Sequence, residues 1–220
     1  GQDKRNLNYT TPGTPGFDRW DEMLSGYVNI TFPENLLKIY LELASDDNRG
    51  NLTDLLAHWD HTLGYLIGFR KYFNINDSKI FIGSEYFSTK VSNTFNPQFY
   101  RGNPNIRNFY AKSYFDEFTF QGRRMGGHSG SSSDDMILIF GYSREKFNSI
   151  HFSINKERHY IKSMDYPEVK YEYNLGMNYA LNNYHSIFIN IEYEKIKNYS
   201  FKSAKISESK LFWLGYSLSI

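Results

Sequence analysis

The 220-residue chain has no cysteine. Disulfide frameworks and thiolate metal sites are therefore excluded, and the absence suits a protein of the cell envelope. It also has no run near the ~20 consecutive apolar residues that a membrane helix needs. Its mean hydropathy is negative, so a bundle of membrane helices is excluded too. Charge of one sign is lacking as well. With 25 Lys and Arg against 24 Asp and Glu, the net charge is +1, and no nucleic-acid partner is expected. What the chain has in excess is aromatic residues, 18% of the total, almost all of them Tyr and Phe. Many aromatics with low average hydropathy fit strands that turn one face to lipid, because only alternate residues then need to be apolar.

Period-two alternation is clearest in the C-terminal half. Val169, Tyr171, Tyr173, Leu175, Met177 and Tyr179 oppose Lys170, Glu172, Asn174, Gly176 and Asn178. Ile187, Ile189, Ile191 and Tyr193 oppose Ser186, Asn190, Glu192 and Glu194, with Phe188 as an exception. Phe212, Leu214, Tyr216, Leu218 and Ile220 oppose Trp213, Gly215, Ser217 and Ser219. Upstream, Leu37, Ile39, Leu41 and Leu43 alternate with Lys38, Tyr40, Glu42 and Ala44, and Leu63, Tyr65, Ile67 and Phe69 with Gly64, Leu66, Gly68 and Arg70. Leu24 to Phe32, Lys79 to Thr89, Met136 to Ser143 and Asn148 to Arg158 complete about nine strands of a length suited to a tilted membrane strand. Both faces of Met136 to Ser143 are apolar, so the pattern leaves its orientation open.

Connection lengths alternate. Tight turns are expected around Pro33 to Asn35, Asn74 to Asp77, Arg144 to Lys146 and at Asn182-Asn183. Between them fall Ser45 to Asp60, Lys90 to Asp135, Tyr160 to Tyr166 and Asn198 to Ser209. Short turns on one side and long loops on the other describe a membrane barrel, with periplasmic turns and extracellular loops. The pattern therefore predicts one all-β domain over residues 1–220, a transmembrane antiparallel up-and-down β-barrel of about nine or ten strands, with 90–135 as a long extracellular loop. The last strand runs to Ile220; barrels of this kind often end on an aromatic residue, and Ile220 departs from that. Counting back from a periplasmic end places residues 1–19 outside, as a loop or a truncated strand. Bacterial barrels usually have an even strand number. Either an N-terminal portion is missing, leaving two open edges, or a strand such as Asn108 to Phe120 splits the longest loop.

The segment from Gly126 to Ser133 reads as a flexible low-complexity loop, and Asn51 to Trp59 has the spacing of one or two helical turns. Asp46-Asp47-Asn48-Arg49-Gly50 and Asp134-Asp135 offer hard oxygen ligands, yet the full calcium-loop pattern is absent and solvated turns at strand ends are the stronger reading. His128 adjoins Ser129, but Gly-Gly-His-Ser-Gly is not a nucleophile elbow, so no catalytic residue, metal or cofactor is expected. Lys38, Glu42, Arg70, Glu85, Glu172, Glu192 and Glu194 fall on the inward face. They either line a conduction path or pair across the lumen, and the mixture of signs favours pairing. The longest loop gathers Tyr100, Arg101, Asn103, Asn105, Arg107, Tyr110, Tyr114, Asp116, Glu117, Arg123, Arg124, His128, Asp134 and Asp135. Rings stack on sugar C–H faces, and Arg binds carboxylate or phosphate in a bidentate way. The same rings also serve to pack a loop or to form an interfacial girdle, and both readings stand.

A family resemblance falls in this region. The residues are Gly83-Ser84-Glu85-Tyr86, then Asn108-Phe109-Tyr110-Ala111-Lys112-Ser113-Tyr114, then Phe120-Gln121-Gly122-Arg123-Arg124-Met125-Gly126-Gly127-His128, ending at Ser133-Asp134-Asp135. Together with Leu37 to Asp47, this pattern resembles the Wzi-type capsule assembly family of outer-membrane proteins. The resemblance covers about half of the chain. It implies a barrel of about eighteen strands, of which this chain is the C-terminal portion. It also implies a non-catalytic, lectin-like role in the bacterial outer membrane, with capsular or other surface polysaccharide and outer-membrane lipid as partners of a monomeric barrel. Tyr110, Tyr114, Arg123, Arg124 and His128 lie in the matching loop and are the expected glycan contacts. A porin-like channel for small polar solutes is the alternative, and a membrane-embedded hydrolase is a third class.

Overall fold

The computed structural model describes residues 23–46, 63–90, 119–120, 123–124, 127, 129–144, 148–161, 164–182 and 184–218. Among them the chain is all-β except for a single 3-10 turn at Tyr199–Phe201. The strands are β1 (Met23–Phe32), β2 (Leu37–Asp46), β3 (Leu63–Ile75), β4 (Ser78–Ser88), β5 (Thr119–Phe120), β6 (Arg123–Arg124), β7 (Asp134–Arg144), β8 (Asn148–His159), β9 (Glu168–Ala180), β10 (His185–Lys197) and β11 (Ile206–Leu218). Nine of them form one sheet in the order β1-β2-β3-β4-β7-β8-β9-β10-β11, while β5 and β6 pair separately. Every neighbouring pair in the large sheet is antiparallel, so the chain runs up and down.

Residue type and turn chemistry explain the strands. Branched and aromatic residues fit a pleated surface, and the turns carry residues that tolerate a left-handed backbone. Asn76 has φ 52 in the connection 76–77. At 33–36 the reversal is closed by Asn35 N–H donating to the Phe32 carbonyl at 3.2 Å and Leu36 N–H to the Pro33 carbonyl at 3.0 Å. Because the strands alternate in direction, 33–36, 76–77, 145–147 and 181–184 join them at one end of the sheet. The longer connections 47–62, 89–133, 160–167 and 198–205 join them at the other.

Cross-strand partners lie on the same face, so the register can be read as rows. One row is Phe32, Leu37, Lys71, Ile82, Phe140, Phe152, Leu175, Ile191 and Phe212, crossing all nine strands. Its single cation, Lys71, bends its ammonium back to the Asn35 carbonyl. On the other face, a matching row is Thr31, Lys38, Arg70, Gly83, Ile139, Ser153, Asn174, Glu192 and Leu211. The sheet thus has an apolar and a polar face. Register also settles the orientation of β7: Met136, Leu138, Phe140 and Tyr142 join the apolar face, and Ile137 and Ile139 the polar one. Leu41, Ile67, Phe69, Leu138, Phe140, Ile191, Phe212 and Leu214, among others on the apolar face, are exposed.

The sheet is not closed, because β1 and β11 are its edges and do not pair. One boundary differs from the alternation. β10 ends at Lys197, where the expected loop begins, but β11 reaches back to Ile206, which shortens the expected Asn198 to Ser209 loop to 198–205. Polar residues on both faces, such as Lys195 opposite Glu208, conceal the period there. β4 pairs directly with β7, with no strand between them; of the suggested strand Asn108 to Phe120 only Thr119–Phe120 falls among the described residues, paired with β6. Residues 1–19, Asp47 to Gly50 and Asn51 to Trp59 lie outside the described residues.

Glycines on the polar face serve as seats for rings. Tyr40 lies over Gly68, His151 over Gly176 and Phe188 over Gly215, and each ring stands directly opposite its glycine across a strand pair. An aromatic ring laid on a cross-strand glycine covers exposed backbone. A side chain at Gly68 would meet the Tyr40 ring at 2.5 Å, whereas Gly26 has nothing within 4 Å. Gly68→Val and Gly176→Val are expected to cost about 1–3 kcal/mol by displacing the ring. Gly26→Val should stay within about 0.5 kcal/mol of the parent. Equilibrium urea unfolding followed by tryptophan fluorescence measures the contrast, and equal effects at all three positions contradict the seating role.

Candidate functional site

The polar face is built from charges that the register brings together. Tyr40, Gly68 and Glu85 occupy one row across β2, β3 and β4. With no side chain at Gly68, Tyr40 reaches over β3, and its hydroxyl donates to Glu85 Oε2 at 2.7 Å. The Lys38 ammonium and the Arg70 guanidinium lie 5.7 Å and 5.8 Å from the centroid of the same ring. A ring that holds a carboxylate at its hydroxyl and two cations at its face is a cross-linked wall.

A denser cluster lies on β8, β9 and β10. Glu172 stands directly opposite Glu194, an arrangement that repels unless a cation intervenes. Lys170 supplies it: its Nζ is 2.8 Å from Glu172 Oε2, 3.4 Å from Glu194 Oε2 and 3.2 Å from Glu157 Oε1. Glu157, only 2% exposed, also accepts from Asn155 Nδ2 at 2.9 Å and meets His159 Nε2 at 2.9 Å. His159 Nδ1 is 3.6 Å from Glu168. The inward charges Glu85, Glu172 and Glu194 are thus engaged with neighbours on the same face. Glu157, His159 and Lys170 are the residues that sequence reasoning did not single out as a site. Their period-two spacing was visible, but the juxtaposition depends on register. Among the described residues, no group of three or more His, Asp or Glu is arranged to hold a metal ion. His159 sits between the carboxylates of Glu157 and Glu168.

At the long-connection end, the segment expected to be a flexible loop is folded down. Ser129, Ser131, Ser132 and Ser133 are buried, together with Ser88 and Thr89. Thr89 N–H donates to the Ser133 carbonyl at 2.9 Å, its hydroxyl donates to the Gly130 carbonyl, and Ser133 N–H donates back to Thr89 Oγ1 at 3.3 Å. Ile161 N–H donates to the Ser132 carbonyl at 2.8 Å. Gly127 lies against the ring of Phe87, which points to the polar side of the sheet, so a side chain there would clash. Small residues, read in the sequence as a sign of flexibility, here permit close approach. Asp134 is likewise no solvated turn. Arg158, directly opposite it, grips both carboxylate oxygens, with Nε donating to Oδ1 at 2.7 Å; Lys90 Nζ is 3.6 Å from Oδ2.

A hollow of about 360 Å³ opens on the apolar face, lined by Leu37, Ile39, Ile67, Phe69, Ser84 and Tyr86. It lacks the convergent polar groups of a substrate site. Of the residues expected to contact glycan, Tyr110, Tyr114 and His128 lie outside the described residues. Arg123 and Arg124 form β6, paired with Phe120 and Thr119, and are described as backbone only. No family model and no curated protein matches the chain.

Lys170 has carboxylates on three sides and is itself only 19% exposed. Removing one partner of a buried ionic cluster leaves uncompensated charge. Lys170→Met is therefore expected to destabilise the sheet by about 3 kcal/mol. Adding Glu157→Gln should recover part of the loss, because the most buried carboxylate is then neutral. Urea unfolding of the single and double variants tests this, and strict additivity of the two effects contradicts the coupling.

Proposed function

We propose that this chain forms the wall of an outer-membrane β-barrel that holds surface polysaccharide at its long-connection end without catalysing a reaction. The observation that carries the membrane part is the exposed apolar face, kept in register over nine strands opposite a polar one. Exposed apolar patches of this extent mark interaction or membrane surfaces, and lipid is the cover that suits a face apolar on every strand. Tyrosines Tyr65, Tyr86, Tyr171, Tyr173 and Tyr193 lie toward the long-connection end of that face, and Tyr142, Tyr179 and Tyr216 toward the turn end. Such rows fit the aromatic girdles of membrane barrels. Hydrocarbon does not tolerate open sheet edges. The edges β1 and β11 therefore need further strands, in keeping with the larger barrel implied by the resemblance to the Wzi-type capsule assembly family.

The polysaccharide part rests on that resemblance and on the gathering of all long connections at one end, with 89–133 the longest. Tyr110, Tyr114, Arg123, Arg124 and His128 are the proposed contacts. The channel reading draws on the polar face. Against it stand the ion pairs around Lys170 and the close approach of Gly127 to the Phe87 ring on the polar side.

The absence of native cysteine allows a direct test of the membrane part. Single cysteines at Leu41, Leu138 and Leu175, labelled with a fluorophore, should be quenched by lipids brominated on their acyl chains. Cysteines at Glu42 and Asn174 should not. Equal quenching on both faces rejects the membrane wall. Purified capsular polysaccharide should bind the reconstituted protein, and alanine at Arg123, Arg124 and His128 together should weaken it at least tenfold. Ion conductance in planar bilayers without glycan binding would assign the protein to the channel class instead.

A further inference from the structure

On β8 to β11 the lysines and arginines of the apolar face gather in one corner, whereas Lys71 on β3 and Arg144 on β7 stand at the turn end. Lys156 and Arg158 on β8, Lys195 and Lys197 on β10, and Lys210 on β11 all stand at the long-connection end of that face. The rows run Lys156, Tyr171, Lys195, Glu208 and, one step further out, Arg158, Val169, Lys197, Ile206. Lys156 Nζ and Lys197 Nζ flank the Tyr171 ring, 5.8 Å and 5.3 Å from its centroid. Lys210 Nζ lies 5.9 Å from the Tyr193 ring, which itself stacks on Tyr173. The carboxylates in the same corner are already engaged, Asp134 by Arg158 and Glu208 by Lys195 at 2.8 Å. Lys156, Lys197 and Lys210 thus leave a positive excess. The turn end of β8 to β11 carries Ile150, Tyr179, Ile187, Tyr216 and Leu218 on this face and no lysine or arginine.

We propose that this corner binds the phosphorylated headgroup of a lipid in the leaflet at the long-connection end. The inference rests on the membrane-wall reading and adds a ligand to it. Cations in the hydrocarbon are costly, whereas cations just beyond a tyrosine row sit at headgroup depth, where phosphate supplies the missing negative charge. Lysine acts there as a point charge on phosphate oxygens. The tyrosine rings beneath hold the lysine stems and rest against the sugar or glycerol of the headgroup. The asymmetry between the two ends of β8 to β11 makes the preference one of leaflet as well as of charge.

The test uses the full chain reconstituted in phosphatidylcholine nanodiscs. It compares retention of a bis-phosphorylated diglucosamine lipid with retention of the same lipid after removal of its phosphates, read by native mass spectrometry. The phosphorylated form is expected to be retained preferentially and to be released at high salt. Lys156→Gln, Lys197→Gln and Lys210→Gln together should weaken retention on the order of a hundredfold, since each cation near an anionic membrane surface contributes severalfold. Lys71→Gln with Lys79→Gln, at the turn end, should leave it unchanged. If the triple variant does not fold, Lys197→Glu alone must still lower retention. Equal retention of both lipids, an unaltered triple variant, or displacement by inorganic phosphate alone overturns the proposal. A chain that inserts into phosphatidylcholine without phosphate preference removes this inference and leaves the membrane wall standing. A chain that does not insert removes both.

Discussion

Register is the constraint on which the other features of this sheet depend. Side chains alternate with a period of two, so a slip of one residue in any pair would turn a whole strand over. Held as it is, the register aligns Phe32, Leu37, Ile82, Phe140, Phe152, Leu175, Ile191 and Phe212 on one side and the charged residues on the other. A sheet with one face apolar on every strand needs a cover, and no second layer of described residues provides one. Lipid as that cover is the step from which the proposed location follows.

The polar face obeys the same constraint in another way. Three of its rings lie on glycines in the next strand, Tyr40 on Gly68, His151 on Gly176 and Phe188 on Gly215. Such seating lets Tyr40 bond Glu85 two strands away and keeps the wall thin. Charges are paired within the face: Lys170 separates Glu172 from Glu194, which would otherwise stand opposite each other with no cation between them.

Those connections show where reading residue types fails. Gly and Ser between 126 and 133 carry no periodicity and resemble a linker, yet Ser131, Ser132 and Ser133 are buried beside Thr89. At Gly127 the lack of a side chain allows the backbone to approach Phe87, a contact more than thirty residues away in sequence. Asp134 looked like half of an acidic pair in a turn, but Arg158 lies opposite it across β7 and β8. Neither contact leaves a local trace, because both join segments whose proximity exists only after the strands have paired.

Alternation alone determined the existence of the strands, the sorting of short and long connections, and which residues are apolar and polar partners along most strands. These depend on neighbours two residues apart, and the chain carries that information locally. The sequence also marked the aromatic excess and the lack of cysteine that frame the envelope reading. Only the tertiary structure decided the orientation of β7, the start of β11, the triad of glutamates around Lys170, and the cationic corner beside Tyr171 and Tyr193. Each of these is a relation between strands, and the register that creates it is set by pairing across the sheet.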